Sequence, residues 1–437
     1  MTADSRPHAI PAATVSRRVL TGRAAVLLLH VLRGGAAVVS HTTVGVLRGD
    51  LDTRRDRWLV DLVTRLGPAF IKAAQMLATR VDVLSPRVCA ALGRLHDGVR
   101  PAALAVAADE LWGTGLVLDR GADGVARPVA TGSIASVYRA TAPDGRRVAV
   151  KLLRPGVARQ LTVDLELLRR CARLMARLPQ MRGIPVVAVV DQMAQAVHSQ
   201  LDLLREARFL EEFRDNMAQE SGIRVPVVHR ELSDEGLLVM EFIEGLRRRA
   251  PHEFPETARE QVVLATLRGI YRMLFIDGLV HCDLHPGNLY FLPDGEVVVV
   301  DAGFTVRLDE RTRATFASFF LQMSVGGGEA CAEILLSTAT AGPDADTKGF
   351  RREIASLVRR NSGMSAANFN LVTFAGSLFD IQRRHGLYAA PEFVFPLLSL
   401  LVLEGTVRAF APQVDFQKVA GPYLMKALFG DASKTAD

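Results

Sequence analysis

Apolar positions along the chain change period several times, and each change marks an element. Over residues 61–80 Phe70, Ile71, Met76 and Leu77 share roughly one helical face, interrupted near Gly67-Pro68. Helical stretches are also expected over residues 86–96 and 101–112. At about Pro128 the pattern turns β-prone. Residues 133–140 and 146–153 read as two strands joined by Ala142-Pro143-Asp144-Gly145, a hairpin turn. Helical periodicity returns over 161–178 and again, as one long helix, over 190–217. Short apolar runs at 225–229 and 237–243 suit strands, and a long helix follows from Ala258 to Gly278. Residues 296–300 form a buried strand ending at Asp301. Beyond Arg307 the pattern is helical, with breaks at Gly326-Gly327-Gly328, Gly342-Pro343 and Gly386. There is no internal repeat. A mostly β lobe followed by a helical lobe predicts an α+β protein with a cleft between the two.

Composition sharpens this division. With 437 residues, 49% of them hydrophobic and 23% charged, the chain has ample material for a core of two or three cooperating lobes. The reading is a basic amphipathic arm over 1–57, a helical extension over 58–127, a β-rich lobe with inserted helices over 128–245, and a helical lobe over 246–437. The net charge is +6, and it is concentrated in the arm. From Ser5 to Gly49 there is no acidic residue, while Arg6, Arg17, Arg18, Arg23, Arg33 and Arg48 are all present. The remainder balances, which excludes a broad basic groove for nucleic acid. The arm points to an anionic membrane surface or a docking partner.

Ser16-Arg17-Arg18 resembles the start of a twin-arginine export signal, but His30 and Arg33 interrupt the apolar stretch such a signal needs. No apolar run reaches the ~18 residues of a membrane span. Cys89, Cys171, Cys282 and Cys331 are scattered, with no C-x-x-C pair. That suits a reducing cytoplasm and argues against a disulfide scaffold or a zinc site. The expected location is cytoplasmic, peripheral on the cytoplasmic membrane face. The sequence sets no oligomeric state. Of the 53 Lys and Arg residues only six are lysine, and Lys72 and Lys151 alone precede Lys348. A lysine kept amid arginines marks a place where a compact ammonium is wanted.

The densest polar motif is His281-Cys282-Asp283-Leu284-His285-Pro286-Gly287-Asn288, followed after a turn and a strand by Asp301-Ala302-Gly303. Phosphoryl transfer from ATP uses this order of groups. An Asp orients or deprotonates the acceptor, then an Asn and a second Asp hold Mg²⁺ on the phosphates. Asp283 is therefore the catalytic candidate, and Asn288 and Asp301 are the metal candidates. Lys151 ends Val148-Ala149-Val150-Lys151 on the second hairpin strand, where a lysine pairs the α/β-phosphates and a helical glutamate. Glu206 is the candidate partner, with Glu211 and Glu212 as competitors one to two turns on. Ala130, Thr131, Gly132 and Ser133 precede the hairpin as the phosphate-covering loop. Residues 237–243 match the strand leading to an adenine-binding hinge, with Met240 as gatekeeper and Glu241 and Ile243 offering backbone contacts.

In these motifs the chain resembles the UbiB/AarF family of atypical kinases, from about Asp61 to about Pro412. The diagnostic piece is Leu66-Gly67-Pro68-Ala69-Phe70-Ile71-Lys72-Ala73-Ala74-Gln75, similar to the K-x-G-Q motif of that family. The resemblance implies a protein-kinase-like two-lobed fold whose N-terminal helical extension covers the cleft. It also implies nucleotide and Mg²⁺ binding in support of isoprenoid-quinone or other lipid metabolism, with ATPase or kinase activity. On this likeness Lys72 and Gln75 gate the site, and the acidic E-x-D motif that the lysine contacts falls at Gln200-Leu201-Asp202. Asp202 and Glu206 are four apart and are expected on one helix face.

Three positions depart from the family pattern: Ala74 for Gly, Gln200 for a carboxylate, and Thr131-Gly132 for Ala-Ala. Together they would relax occlusion of the site and favour phosphoryl transfer. Cys282, with no A-P-E sequence after Asp301, argues against activation-loop control. A small-molecule phosphotransferase of the aminoglycoside/choline-kinase type shares the H-x-D-x-H-x-x-N pattern but lacks the segment around Lys72. A nucleotide-gated lipid-binding module without productive phosphotransfer is the third reading.

Overall fold

The computed structural model of the chain describes residues 16, 18–29, 51–78, 86–93, 114–178, 186–220, 222–285, 287–362 and 370–430. The helix expected over 101–112 and most of the basic arm lie outside them. The chain divides into two compact units, one comprising Met1–Ala207 with Val228–Phe242, the other Arg208–Val227 with Ile243–Asp437.

The first unit opens with helix α1 (residues 18–29), an arginine-bearing helix within the basic arm. Helices α2 (Leu51–Leu66), α3 (Pro68–Ala78) and α4 (Pro86–Gly93) follow. Helix α2 starts ten residues before the expected 61; Leu59 and Val60 extend the apolar stripe backwards and pack, with Val63, against Ile71, Ala74 and Leu92. The break at Gly67 is real: its φ of 111° suits glycine alone, and the Phe70 and Ile71 amides donate to its carbonyl as α3 restarts.

Strands β1 (Val117–Leu118), β2 (Ala130–Thr131), β3 (Ala135–Thr141), β4 (Arg147–Leu153) and, later in the chain, β6 (Leu237–Glu241) form one antiparallel sheet. The order is β1-β3-β4-β6, with β2 also on β3. Alternate residues Val148, Val150 and Leu152 of β4 join Tyr138, Leu118, Leu237 and Val239 in one core, which sends Ala149 and Lys151 to the opposite face.

Helices α5 (Val157–Met175), α6 (Val186–Ser199) and α7 (Leu203–Met217) complete this part, with α3 packed on α5 and α6. The single helix expected over 190–217 is in fact two. The amides of Gln200, Leu201 and Asp202 reach back only three residues, to Val197, His198 and Ser199, which tightens and ends α6. The Arg205 amide then donates to Asp202 Oδ1 at 2.8 Å, so Asp202 caps α7, and the Glu206 amide donates to the Asp202 carbonyl at 3.2 Å, one turn on. The boundary between the units falls inside α7, after Ala207.

The second unit is mainly helical. Strand β5 (Ile223–Arg224) pairs parallel with β9 (Val297–Val299), which forms a hairpin with β8 (Leu289–Phe291). The strand expected over 225–229 is reduced to one bridge between Val228 and Met240, since Pro226 has no N–H to give. Helix α8 (Glu256–Tyr271) ends in a π-turn over Arg272–Asp277 and a left-handed Gly278. Strands β7 (Leu279–His281) and β10 (Thr305–Arg307) pair antiparallel. Helices α9 (Glu310–Ser324), α10 (Gly328–Thr338), α11 (Thr347–Asn361), α12 (Leu371–Arg384), α13 (Pro391–Phe410) and α14 (Phe416–Phe429) follow.

A short ladder, β11 (Ala339–Ala341) with β12 (Leu387–Ala389), interrupts the region expected to be wholly helical. Helix α13 contains the one stretch among the described residues long and apolar enough to cross a membrane, and 69% of it is buried inside the protein. Its Glu404 accepts from the Leu371 and Val372 amides at the start of α12, the task of a core helix.

Candidate active site

Two constellations of polar side chains stand out, one in each unit. In the first, Lys151 Nζ donates to both oxygens of Glu206, at 2.7 and 2.9 Å, and both residues are buried. The sequence builds this pair in two steps. Strand alternation sends Lys151 away from the Val148/Val150/Leu152 core. The Asp202 cap starts α7 one turn before Glu206, where the helix dipole favours a carboxylate. Removing either partner would strand a buried charge, a loss of about 3–5 kcal/mol. Glu212, a competitor for Lys151, instead holds Arg307 at the surface.

Around this pair, Ala130 and Thr131 are strand residues paired with Val137 and Ser136. Gly132 turns the chain, its amide donating to the Ala135 carbonyl at 2.8 Å, and Ser133 follows in that turn. Glu241 ends β6 opposite Val148, with Met240 buried beside it; Ile243 lies buried just past the unit boundary. Lys72 and Gln75 are half-buried on α3. Gln200 sits in the turn between α6 and α7 with its Nε2 buried and lacking a hydrogen-bond partner.

In the second unit His281 organises the motif. Its Nδ1 accepts from the Asp283 amide at 3.1 Å, so the ring proton lies on Nε2, which faces the Asp301 carbonyl at 2.5 Å. Burial holds this imidazole below its ordinary pKa, against the opposing pull of Asp283 and Asp301, and keeps it neutral. One ring thus fixes the backbone of both aspartates. Asn288 Nδ2 donates to the Asp283 carbonyl at 2.9 Å, and the Val300 amide donates to the Asn288 carbonyl at 2.9 Å. Asp301 follows directly, at φ 63°, the one non-glycine residue of positive φ among those described. Its Oδ1 accepts from the Gly303 amide at 3.0 Å. From below, Ser399 on α13 donates to the His281 carbonyl at 3.1 Å.

Nearby, His285 Nδ1 accepts from the Gly287 amide, and its Nε2 lies 3.7 Å from Asp283 Oδ1. Pro286 lies outside the described residues. Burial pushes the Cys282 thiol up, and it donates to the Val280 carbonyl.

The structure therefore brings Lys151 to Glu206, and Asp283 to Asn288 and Asp301. Sequence reasoning gave His281, His285 and Ser399 no role. Membership in the H-x-D motif was a usable signal for the two histidines. Nothing in the sequence flagged Ser399, 118 residues further on.

The donors suit a hard cation. With Asn288 Nδ2 turned inward, its Oδ1 is the atom left to offer, and Asp301 supplies a carboxylate. Among the described residues no group of three or more His, Cys, Asp or Glu is placed to hold a metal. The Asn288 amide oxygen and the Asp301 carboxylate are oxygen donors of the kind Mg²⁺ takes, one or two from the protein at a time.

An antiparallel sheet carrying a buried Lys–Glu pair, with a helical unit carrying an Asp/Asn/Asp array, defines a kinase-like α+β protein. Residues 125–335 match the ABC1 atypical kinase-like domain. The chain is 30% identical over 372 residues to "Probable protein kinase UbiB" of Aeromonas hydrophila, covering 82% of this chain and 68% of that one. A Synechocystis protein is 28% identical over 378 residues, covering 85% of this chain and 66% of that one. A solved structure, the complex of Rv3197 with erythromycin from Mycobacterium tuberculosis, is similar at 21% identity and a TM-score of 0.48. It covers 69% of this chain and 76% of that one. The chain belongs to the ABC1/UbiB family of atypical kinase-like proteins.

Proposed function

We propose that the protein binds ATP with Mg²⁺ and transfers its terminal phosphoryl group to a lipid or small-molecule acceptor, or to water, in support of isoprenoid or related lipid metabolism. The observation that carries this reading is the His281 scaffold, one neutral ring that fixes both Asp283 and Asp301 while Asn288 is tied to the same loop. Lys151, oriented by Glu206, offers its ammonium to the α/β-phosphates. Asn288 and Asp301 would hold the cation, which when bound neutralises charge on the phosphates. Asp283 orients the acceptor hydroxyl or water. The turn through Ala130, Thr131, Gly132 and Ser133 covers the phosphates, and the backbone at Glu241 and Ile243 meets the adenine. Lys72, Gln75, Gln200 and Asp202 govern access from the helical extension. Most of the rate acceleration comes from positioning and charge neutralisation.

The concentration of arginine in the basic arm supports a peripheral location on the cytoplasmic face of an anionic membrane. The test is ATP turnover with and without membrane lipid extract, in wild type, Asp301→Asn and Lys72→Ala. Loss in Asp301→Asn of at least ~100-fold, with a gain in Lys72→Ala, supports gated catalysis. No turnover in any form, with nucleotide binding retained, favours the lipid-binding module.

A further inference from the structure

The segment after β6 reads Glu244-Gly245-Leu246-Arg247-Arg248-Arg249, and the structure uses its three guanidinium groups differently. Arg247 is paired with Glu253 at 2.5 Å. Arg249 donates to the Phe291 and Gly245 carbonyls at 3.1 and 3.0 Å. The Arg249 bonds fix the backbone just after Arg248, whereas the Arg247 pair is exposed. The Arg248 side chain then lies over the Asp283–Asn288 loop, its Nη2 3.5 Å from the point where a Cβ on Gly287 would stand. Glycine is what leaves that room. A Cβ there would also come within 2.6 Å of the His285 ring. Two residues beyond Asn288, the Tyr290 phenol feels Arg248 and Asp301 as nearby charges of opposite sign, though burial is the larger influence on it. An exposed guanidinium therefore stands over the loop that runs from Asp283 to Asn288, all inside the second unit.

We propose that Arg248 binds a phosphate-like oxyanion beside this loop and so selects the ligand that reacts there. The planar fork matches a phosphate bidentately, which a lysine does not, and the two aspartates of the loop would otherwise repel such a group. The oxyanion has two sources: the terminal phosphate of the nucleotide, or the phosphate headgroup of an anionic acceptor. The inference rests on the nucleotide-dependent reading above and names what that site discriminates.

The test uses the full chain as wild type, Arg248→Met, Arg248→Lys and Arg247→Met. Binding of ATP and ADP is measured, and ATP turnover is followed with phosphatidylglycerol or phosphatidylcholine vesicles. If the nucleotide is the source, Arg248→Met weakens ATP about tenfold or more, leaves ADP within twofold, and is only partly restored by Arg248→Lys. If the acceptor is the source, both nucleotides bind as before, and phosphatidylglycerol loses about tenfold of its stimulation while phosphatidylcholine is unaffected. Arg247→Met changes neither. The proposal is overturned if Arg248→Met leaves ATP affinity and vesicle response within twofold of wild type. It is overturned equally if ATP and ADP weaken together, the mark of a structural role. Wild type that binds no nucleotide at all defeats the underlying reading instead, and is recognised by that alone.

Discussion

Arg23 gives the firmest energetic prediction. Its Nε donates to Asp164 Oδ1 at 2.7 Å, and its Nη2 donates to Asp164 Oδ2 at 2.9 Å and to the Leu66 carbonyl at 2.7 Å. Asp164 is wholly buried, while Arg23 keeps 22% of its side chain exposed. One side chain thus ties α1 to α5 and to the end of α2. Arg23→Ala leaves a buried carboxylate unpaired, a loss of about 3–5 kcal/mol for a fully buried pair. The partial exposure of Arg23 puts the expected value near the lower end, about 3 kcal/mol.

By contrast, Arg307 and Glu212 form a bidentate pair through Nη1 and Nη2 with side chains 56% and 37% exposed, and Arg307→Ala should cost less than about 0.5 kcal/mol. Urea unfolding in a Trp112→Phe background, with Trp58 on α2 as the reporter, reads the difference. At an m-value of about 2 kcal/mol/M the midpoint falls by about 1.5 M for Arg23→Ala. Adding Asp164→Asn removes the stranded charge and should return about 1 kcal/mol or more. A shift below about 0.3 M, with no recovery in the double variant, would refute the burial argument.

Two further outcomes follow from the same kind of reasoning. Because burial lowers the folded-state pKa of His281, its neutral form contributes stability that is present above the unfolded value of about 6.5 and is lost as pH falls through the lowered one. Unfolding midpoints at successive pH values should therefore drop more steeply below 6.5 in wild type than in His281→Asn, and equal slopes would sink the assignment. For the arm, replacing Arg6, Arg17, Arg33 and Arg48 by Gln while sparing Arg23 should weaken flotation with anionic liposomes at least ~100-fold, at about 1 kcal/mol per arginine. Unchanged flotation would remove the arm from membrane binding.

The β-hairpin carrying Lys151 and the loop from His281 to Asn288 were legible in the sequence because each is local. A turn signal and alternation suffice for the first, and fixed spacing for the second. The long-range features were not legible. Nothing between His198 and Leu203 is glycine or proline, so the end of α6 showed no breaker; only Asp202, read as a cap, could have revealed it. The pairing of β5 with β9 and of β11 with β12 joins segments too short for periodicity to register. The ties of Arg23 to Asp164 and of Ser399 to His281 span 141 and 118 residues, and no pattern in one sequence encodes such distances. Arg248 was not legible for a related reason: three successive arginines in an arginine-rich chain look like a solvated run.

The break at residues 200–202 changes what the E-x-D segment does. Of its two acidic positions, one is the neutral Gln200, whose buried Nε2 has no partner, and the other caps the helix that carries Glu206. Asp202 can thus act on the Lys151–Glu206 pair through the start of that helix. The two roles make different demands on the side chain. A cap needs an oxygen within reach of the Arg205 amide, so Asn or Ser should serve nearly as well as Asp, whereas Ala should cost about 1 kcal/mol. A charge partner for a lysine needs a carboxylate, so Asn and Ser should fail together with Ala. Thermal stability and ATP affinity measured for Asp202→Asn, Asp202→Ser and Asp202→Ala separate the cases. Recovery by Asn and Ser in both readouts assigns Asp202 to positioning Glu206. If stability recovers but ATP affinity does not, the negative charge itself matters and the capping account is insufficient.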